Sequence, residues 1–409
     1  MIVELMPSLR FKEFTQEFEL SKLEDIVQKK ISYGIVQAGP HVEGGMPYIK
    51  SKNLNNELRV IDLDRTSTEI AKKYKRSEVG PGDIVFSLRG NIGVSRIVPD
   101  SITVANLTQG TARLSLKAGF SAKYIQEELR TSRIKNRIEA ISKGSTFQEI
   151  SLTDLRTVKV AIPEKAEQQK IANFLASVDT KISQLTEKHH LLKDYKKGVM
   201  QQIFSQQIRF KDDDGNAFPE WKEKGFNDVF NRVTTKNKEN NENVLTISAQ
   251  KGLISQLEYF NKSVSAKDVT GYYLLHKGDF AYNKSYSKGY PMGAIKPLKY
   301  YEKGVVSTLY ICFRPEADYC EHYFEQYFDA GMLNREIAKI AQEGARNHGL
   351  LNVSVTEFFE DIKLTVPHID EQQKIARFLQ SIDKKTSAVN EQIEQTKLFK
   401  KGLLQQMFV

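Results

Sequence analysis

Two short stretches of this chain set cations, amides, hydroxyls and glycine side by side. One is Ser87-Leu88-Arg89-Gly90-Asn91-Ile92-Gly93-Val94-Ser95-Arg96, and the other is Asn283-Lys284-Ser285-Tyr286-Ser287-Lys288-Gly289-Tyr290-Pro291. Lys and Arg neutralise phosphates, while Arg and Asn can form paired hydrogen bonds with base edges. A second polar glycine segment precedes the last strand of each half: Gly144-Ser145-Thr146-Phe147-Gln148 and Gly344-Ala345-Arg346-Asn347-His348. The chemistry these residue types suit is non-covalent reading of a nucleic acid. The candidate contacts are Arg89, Asn91, Ser145, Thr146 and Gln148 in the first half. In the second half they are Asn283, Lys284, Ser285, Tyr286, Arg346 and Asn347.

Covalent chemistry finds no support. There is no G-x-x-x-x-G-K-[ST] phosphate loop, no H-E-x-x-H, no C-x-x-C and no G-x-S-x-G. Glycine-rich methylase loops and N/D-P-P-F/Y tetrapeptides are also missing, and Pro99-Asp100 has no E-x-K after it. Asp212-Asp213-Asp214-Gly215-Asn216 lacks the alternation and final Glu of a calcium loop and reads as a solvated turn. The two cysteines, Cys312 and Cys320, fit neither a disulfide framework nor a zinc site. No catalytic or metal-ligating residue is therefore assigned. The chain has 409 residues and a net charge of +9, which permits a polyanionic partner without requiring one. No apolar run approaches the roughly 18 residues of a membrane span. Met1–Pro7 lacks the basic region and apolar stretch of a secretory leader, so the expected location is cytoplasmic, with no membrane partner.

The elements that must hold these loops are repeated. Residues 167–179 read EQQKIANFLASVD and residues 371–383 read EQQKIARFLQSID; downstream, KKGVMQQIF at 196–204 returns as KKGLLQQMF at 400–408. Across the ungapped 38-residue alignment, 20 positions are identical. In both copies apolar residues recur with 3-4 spacing. The rows Ile171, Val178, Leu185, Leu192, Val199 and Leu175, Ile182, His189, Lys196, Ile203 have counterparts in Ile375, Ile382, Val389, Thr396, Leu403 and Leu379, Thr386, Ile393, Lys400, Met407. That is a coiled-coil seam, broken in each copy by one Lys that can set register. Unbroken, each helix would span about 57 Å, with Gly198 and Gly402 as places to end or bend. Asp370-Glu371-Gln372-Gln373 offers a capping-box start to the second.

Ahead of each helix a polar turn (Ser151-Leu152-Thr153-Asp154; Ser354-Val355-Thr356-Glu357) leads to a strand stopped by Pro163 or Pro367. Gly82-Asp83 and Gly278-Asp279 open matching strands, and Leu9-Arg10-Phe11-Lys12 matches Ile208-Arg209-Phe210-Lys211. Short helices fall within 121–142 and 318–342, without regular βα alternation. The expected class is α+β: two mixed α/β domains separated by two long helices that pair as an antiparallel coiled coil, with pseudo-twofold internal repetition. The expected boundaries are 1–163 and 207–367 for the domains, and 164–206 and 368–409 for the helical spacers.

The doubled E-Q-Q-K-I-A-x-F-L-x-S-[VI]-D and K-K-G-x-x-Q-Q-x-F, with the two Gly-Asp strand-and-loop segments, resemble the DNA-specificity subunit of type I restriction–modification enzymes. The resemblance covers nearly the whole chain. It implies a non-catalytic reader of a bipartite double-stranded DNA target, each globular part being a target-recognition domain. It also implies docking of two copies of a modification subunit, which bring S-adenosylmethionine and methylate adenine, plus motor-nuclease subunits that use ATP and magnesium. The chain itself would hold no cofactor. Two equivalent helices offer two equivalent docking surfaces. The candidates are Gln168, Gln169, Asn173, Lys196, Lys197 and Gln372, Gln373, Arg377, Lys400, Lys401, read as lying on exposed faces. Two other readings share the repeat: a protein-interaction scaffold that binds no DNA, and the specificity subunit of a related system whose partner chain both cuts and methylates.

Overall fold

The computed structural model describes residues 5–144, 148–260, 268–341 and 351–409. The chain divides into two compact units, Met1–Thr186 with Glu391–Val409, and Glu187–Asn390. Both long helices form, as Lys165–Phe204 and Ile369–Gln406, and each runs unbroken through its internal glycine. Each unit therefore contains the first part of one long helix and the last part of the other.

In the first unit, the strand Glu19–Lys22 pairs antiparallel with Lys159–Ile162, the strand that feeds the first long helix. An antiparallel sheet orders Ser95–Ile97, Ile84–Ser87 and Thr111–Leu114. A smaller sheet joins Asp64–Thr66 and Met46–Ile49 antiparallel, with Asn106–Leu107 parallel to the latter. In the second unit, Lys222–Gly225 pairs with Lys363–Val366, again the strand before a long helix. Its main sheet orders Phe230–Arg232, Ile311–Pro315, Phe280–Asn283 and Ala294–Pro297; the hairpin Leu245–Ser248 with Gly252–Ser255 and the antiparallel pair Tyr273–His276 with Lys303–Val306 complete the unit. The polar turns expected before the last strands are short helices, Leu152–Thr157 and Val355–Glu360. Ser151 and Ser354 cap them by accepting the amides of Asp154 and Glu357.

The heptad rows are the buried rows. Ile171, Leu175, Val178, Leu185, Val199 and Ile203 are buried on the first helix, and Ile375, Leu379, Ile382, Val389, Ile393, Leu403 and Met407 on the second. Within the first unit, the end of the second helix (Leu403, Met407, Phe408) shares a core with the start of the first, and Phe408 stacks on Tyr124 at 5.2 Å. Within the second, the end of the first helix (Val199, Met200, Ile203, Phe204) shares a core with the start of the second, and Phe204 meets the edges of Tyr323 and Tyr327. The two helices thus run antiparallel in both units. The seam lysines each take a carboxylate: Lys400 with Asp179 at 2.7 Å and Glu127 at 3.1 Å, and Lys196 with Asp383 at 2.6 Å.

The repeated sequence has a repeated lock. Glu167 and Glu371 are fully buried, and each receives a two-pronged guanidinium, from Arg10 (2.7 and 2.6 Å) and Arg209 (2.8 and 3.0 Å). The next residue clamps the loops around the helix head. Gln168 accepts from the Ser121 amide and donates to the Pro163 carbonyl; Gln372 does the same with Cys320 and Pro367. Glu371 is held by Arg209 and Trp221, and the helix begins at Ile369, ahead of Asp370, so the expected capping box does not open it. The aspartates of the doubled Gly-Asp pairs are structural too, accepting the amides of Gly80 and His276 at the turn before each strand.

Glu128, at the end of the helix Ala122–Glu128, is another buried carboxylate. Burial pushes it up to about 7, against the opposing pull of Arg133 and the Ala161 amide. Two outcomes are expected. Replacing Arg10 by Met strands Glu167 without a countercharge and should cost about 3–5 kcal/mol in thermal or denaturant unfolding, whereas Arg10→Met with Glu167→Leu should recover most of it. Because the folded Glu128 keeps its proton above the pH at which the unfolded one loses it, stability should decline as pH rises from about 4.5 to about 7. Melting curves of Glu128→Gln should lack that component of the slope.

Candidate nucleic-acid interface

In the first unit the strand Ile84–Ser87 delivers the loop that follows it to the side of a second polar segment. The Ile150 amide donates to the Leu88 carbonyl, Arg89 bridges to Glu149 through the backbone, and their side chains pair at 2.7 Å. Arg89, Gly90, Gln148 and Glu149 together line a small cleft. Arg89 is 43% exposed at its side chain and Gln148 is exposed, so both can meet a ligand. Asn91 has a different job. Its Oδ1 accepts from Ser87 Oγ at 2.7 Å, and its Nδ2 donates to the Ser51 carbonyl at 3.0 Å and to Asn55 at 2.6 Å. In this structure the amide is engaged within the chain on both its oxygen and its nitrogen, and it braces the loop. Ser145 and Thr146 lie outside the described residues.

The same loop borders a larger cleft of about 870 Å³. Its walls include Arg96 on the loop's strand, Arg130 and Lys135 around the helix Ser132–Ile141, and Lys397, Lys400 and Lys401 from the second long helix. Only Glu139 and Asp179 supply negative charge among its lining residues. Burial holds the Arg96 guanidinium below its ordinary value, assisted by repulsion from Arg130. Cations that strain against one another in a cleft favour an anion between them.

The second unit repeats the pairing. The Leu351 amide donates to the Lys284 carbonyl, bringing the 283–291 loop beside the end of the second polar segment. Arg346 and Asn347 lie outside the described residues. Asn283 uses Oδ1 to accept from the Ser285 amide, so that side chain also shapes the turn. Lys284 and Ser285 are half-buried, and Tyr286 is 59% exposed at the tip. The loop's return is fixed from within: Tyr290 Oη accepts from Lys296 Nζ at 2.8 Å and donates to Asp329 at 3.2 Å. Burial alone would push Lys296 down; Asp329, at 2.5 Å, and Tyr290 hold it above its ordinary value. Gly293, at φ +82°, passes so close to the Asn283 carbonyl that a Cβ would sit 2.3 Å from that oxygen.

These two similar loop-and-helix assemblies coincide with two sequence matches. The family model for the type I restriction modification DNA specificity domain matches residues 15–193 and again residues 219–396. The chain belongs to this family. Over 152 residues it is 30% identical to the MjaIX type I restriction enzyme specificity subunit of Methanocaldococcus jannaschii, covering 36% of this chain and 34% of that one. Over 146 residues it is 30% identical to the EcoBI specificity subunit of Escherichia coli, covering 35% and 31%. The matched segment thus spans about a third of each of these relatives. The S subunit of a type I system from M. genitalium has the same fold over 99% of both chains, with 14% identity and a TM-score of 0.56. The HsdS subunit of Thermoanaerobacter tengcongensis aligns over 97% of both, with 13% identity and a TM-score of 0.50.

The helices that close each specificity domain do not present the expected face as a block. Gln168 and Gln372 are buried at 2% and 1%, because their amides clamp the chain at the helix heads; the expectation that they lie on exposed faces is corrected. Lys196 and Lys400 are half-buried in the seam ion pairs. Gln169, Asn173, Lys197, Gln373, Arg377 and Lys401 are exposed. Among the described residues no three His, Cys, Asp or Glu side chains cluster as a metal site, and no helix is long and apolar enough to cross a membrane.

Arg130, Lys135 and Lys397 escaped the sequence reading, since Lys135 and Lys397 lie within helices and Arg130 in the turn between two, outside the motifs; their only shared signal is charge. Removing the brace at Asn91 with Asn91→Ala should cost about 1–3 kcal/mol through the partners it leaves unpaired. Hydrogen exchange should quicken at the amides of residues 88–94 specifically, with the second specificity domain unchanged.

Proposed function

We propose that this chain is the non-catalytic, sequence-reading subunit of a type I restriction–modification complex, acting in the cytoplasm on double-stranded DNA. Its two recognition domains, residues 1–163 and 207–367, each read one part of a split target. The helical regions 164–206 and 368–409 receive two copies of a modification subunit. S-adenosylmethionine belongs to that partner, and ATP and magnesium to motor-nuclease subunits.

The observation that carries this reading is a frame kept constant around loops that differ. The buried Arg-Glu pair, the Gln clamp, the Gly-Asp turn and the backbone bond from the second polar segment to the first loop occur in both units. Within those frames one loop presents Arg89 and the other Lys284, Ser285 and Tyr286. Two readers of unlike sequence need that combination: one scaffold geometry, two side-chain sets. The cationic cleft beside the first loop supports phosphate neutralisation there, by Arg96, Arg130, Lys135 and Lys401.

The test is a map of methylated adenines in cells carrying the chain, lacking it, or carrying Arg89→Ala. Methylation at a bipartite motif should vanish without the chain. With Arg89→Ala, preference should relax in one half of the motif only, with discrimination weakened by about 1–3 kcal/mol at the affected base. Uniform loss at every site would make Arg89 a phosphate contact, and methylation unchanged by deleting the chain would overturn the reading.

A further inference from the structure

A group of cations stands just ahead of the first Gly-Asp strand, apart from the cleft already described. Lys72 and Lys73 end the helix Thr68–Lys73, Lys75 and Arg76 lie in the turn Lys75–Ser77, and all four are exposed. Arg76 lies over the Tyr74 ring, its guanidinium 5.5 Å from the centroid. The Arg76 carbonyl accepts from the Ser32 hydroxyl, which brings the exposed Lys29 and Lys30 into the same neighbourhood. Among the described residues none of these six side chains is in an ion pair, although Glu69 stands four residues before Lys73, a spacing that favours one. Like charges so gathered repel, and a polyanion relieves the repulsion.

The patch has a defined place relative to the reading loop. The Ser32 carbonyl accepts from the Arg113 amide and Tyr33 bridges to Ala112, so this segment runs along the free edge of the strand Thr111–Leu114. The middle strand, Ile84–Ser87, delivers Arg89, and the far strand, Ser95–Ile97, carries Arg96 of the cleft. Arg89 therefore lies between two cationic surfaces on opposite edges of one sheet. Ser32 is level with Val85 through Arg113, which puts the patch about 17 Å from Arg89, at ~3.3 Å per residue and ~4.8 Å per strand. That is about five base pairs of duplex at ~3.4 Å each. The repeated frame does not require the patch. Counted back from the second Gly-Asp pair, the positions of Lys72, Lys73, Lys75 and Arg76 hold Asp268, Val269, Gly271 and Tyr272.

We propose that Lys72, Lys73, Lys75 and Arg76, with Lys29 and Lys30, are a sequence-independent phosphate grip that belongs to the first recognition domain alone. It holds the DNA backbone about five base pairs from the base that Arg89 meets, on the side away from the cleft. The two domains then share the reading but not the holding, and the first anchors the duplex. This rests on the function proposed above.

The experiment uses the full chain in complex with the adenine methyltransferase chain of its own system. Affinity is measured across salt concentration for two labelled duplexes, one carrying the methylated motif and one with the same bases scrambled. Changing Lys72, Lys73, Lys75 and Arg76 together to Gln should weaken binding to both duplexes by the same factor, about tenfold or more, and reduce the salt slope by about three to four. The methylated motif should stay the same, and so should the melting temperature of the chain. Changing Lys277, Lys299 and Lys303 to Gln, three ion-paired lysines of the second unit, should alter the slope by less than about one. An unchanged slope in the fourfold variant overturns the grip, as does a loss confined to the motif duplex, which would make these residues base readers. An unaltered complex that does not prefer the motif duplex to the scrambled one overturns the proposed function as well.

Discussion

The structure depends on a charge buried where no charge can stay alone. Glu167 and Glu371 sit at the heads of the long helices with no exposure to solvent, and the paired guanidinium bonds from Arg10 and Arg209, joined at Glu371 by the Trp221 indole, make that tolerable. The arginines come from 157 and 162 residues away in sequence, so each pair ties the entry of a domain to the helix that leaves it. The neighbouring glutamine then joins the helix head to the loop before it and to the turn that opens a further helix. With head, entry strand and turn fixed together, the helix can leave each domain in only one direction. The seam lysines, about two turns from each helix's end, meet carboxylates on the other helix, a polar pairing of the kind that can set register.

That rigidity suits a protein whose two domains share a frame but not a reading surface. Backbone hydrogen bonds, buried aromatic stacks and the Gly-Asp turns are indifferent to which polar side chains decorate the loops. Loops can therefore diverge while the frame persists. Asn91 and the Tyr290-Lys296-Asp329 network go further, spending polar groups on holding a loop still so that neighbouring side chains are preorganised. The recognition surface is built from residues that face outward and residues that only steady them, and composition does not distinguish the two.

Much of the fold was legible in the order of residues. The ungapped repeat revealed the duplication, though each compact unit takes the first part of one long helix and the last part of the other, and the 3-4 rows named most of the buried seam, because helical periodicity is a local property. The loops near Arg89 and Lys284 were likewise visible from glycine and cation content; their pairing with the segments near Gln148 and Leu351 emerged only in the structure. The errors share one physical origin. Gln168 and Gln372 read as surface residues because polar side chains usually are, and nothing local reveals that a carbonyl and an amide wait to satisfy them in the core. The bracing bonds of Asn91 were hidden for the same reason.

By itself, the sequence determined the duplication, the long helices and their seam, and the absence of recognisable catalytic machinery, since all of these depend on residue type and near-neighbour spacing. Only the tertiary structure decided which polar groups are used up inside the molecule. It alone also brought Arg96, Arg130, Lys135 and Lys397 around one cleft. Those outcomes depend on which atoms meet across hundreds of residues of chain, where hydrogen-bond satisfaction and exposure are settled by partners that no local pattern contains.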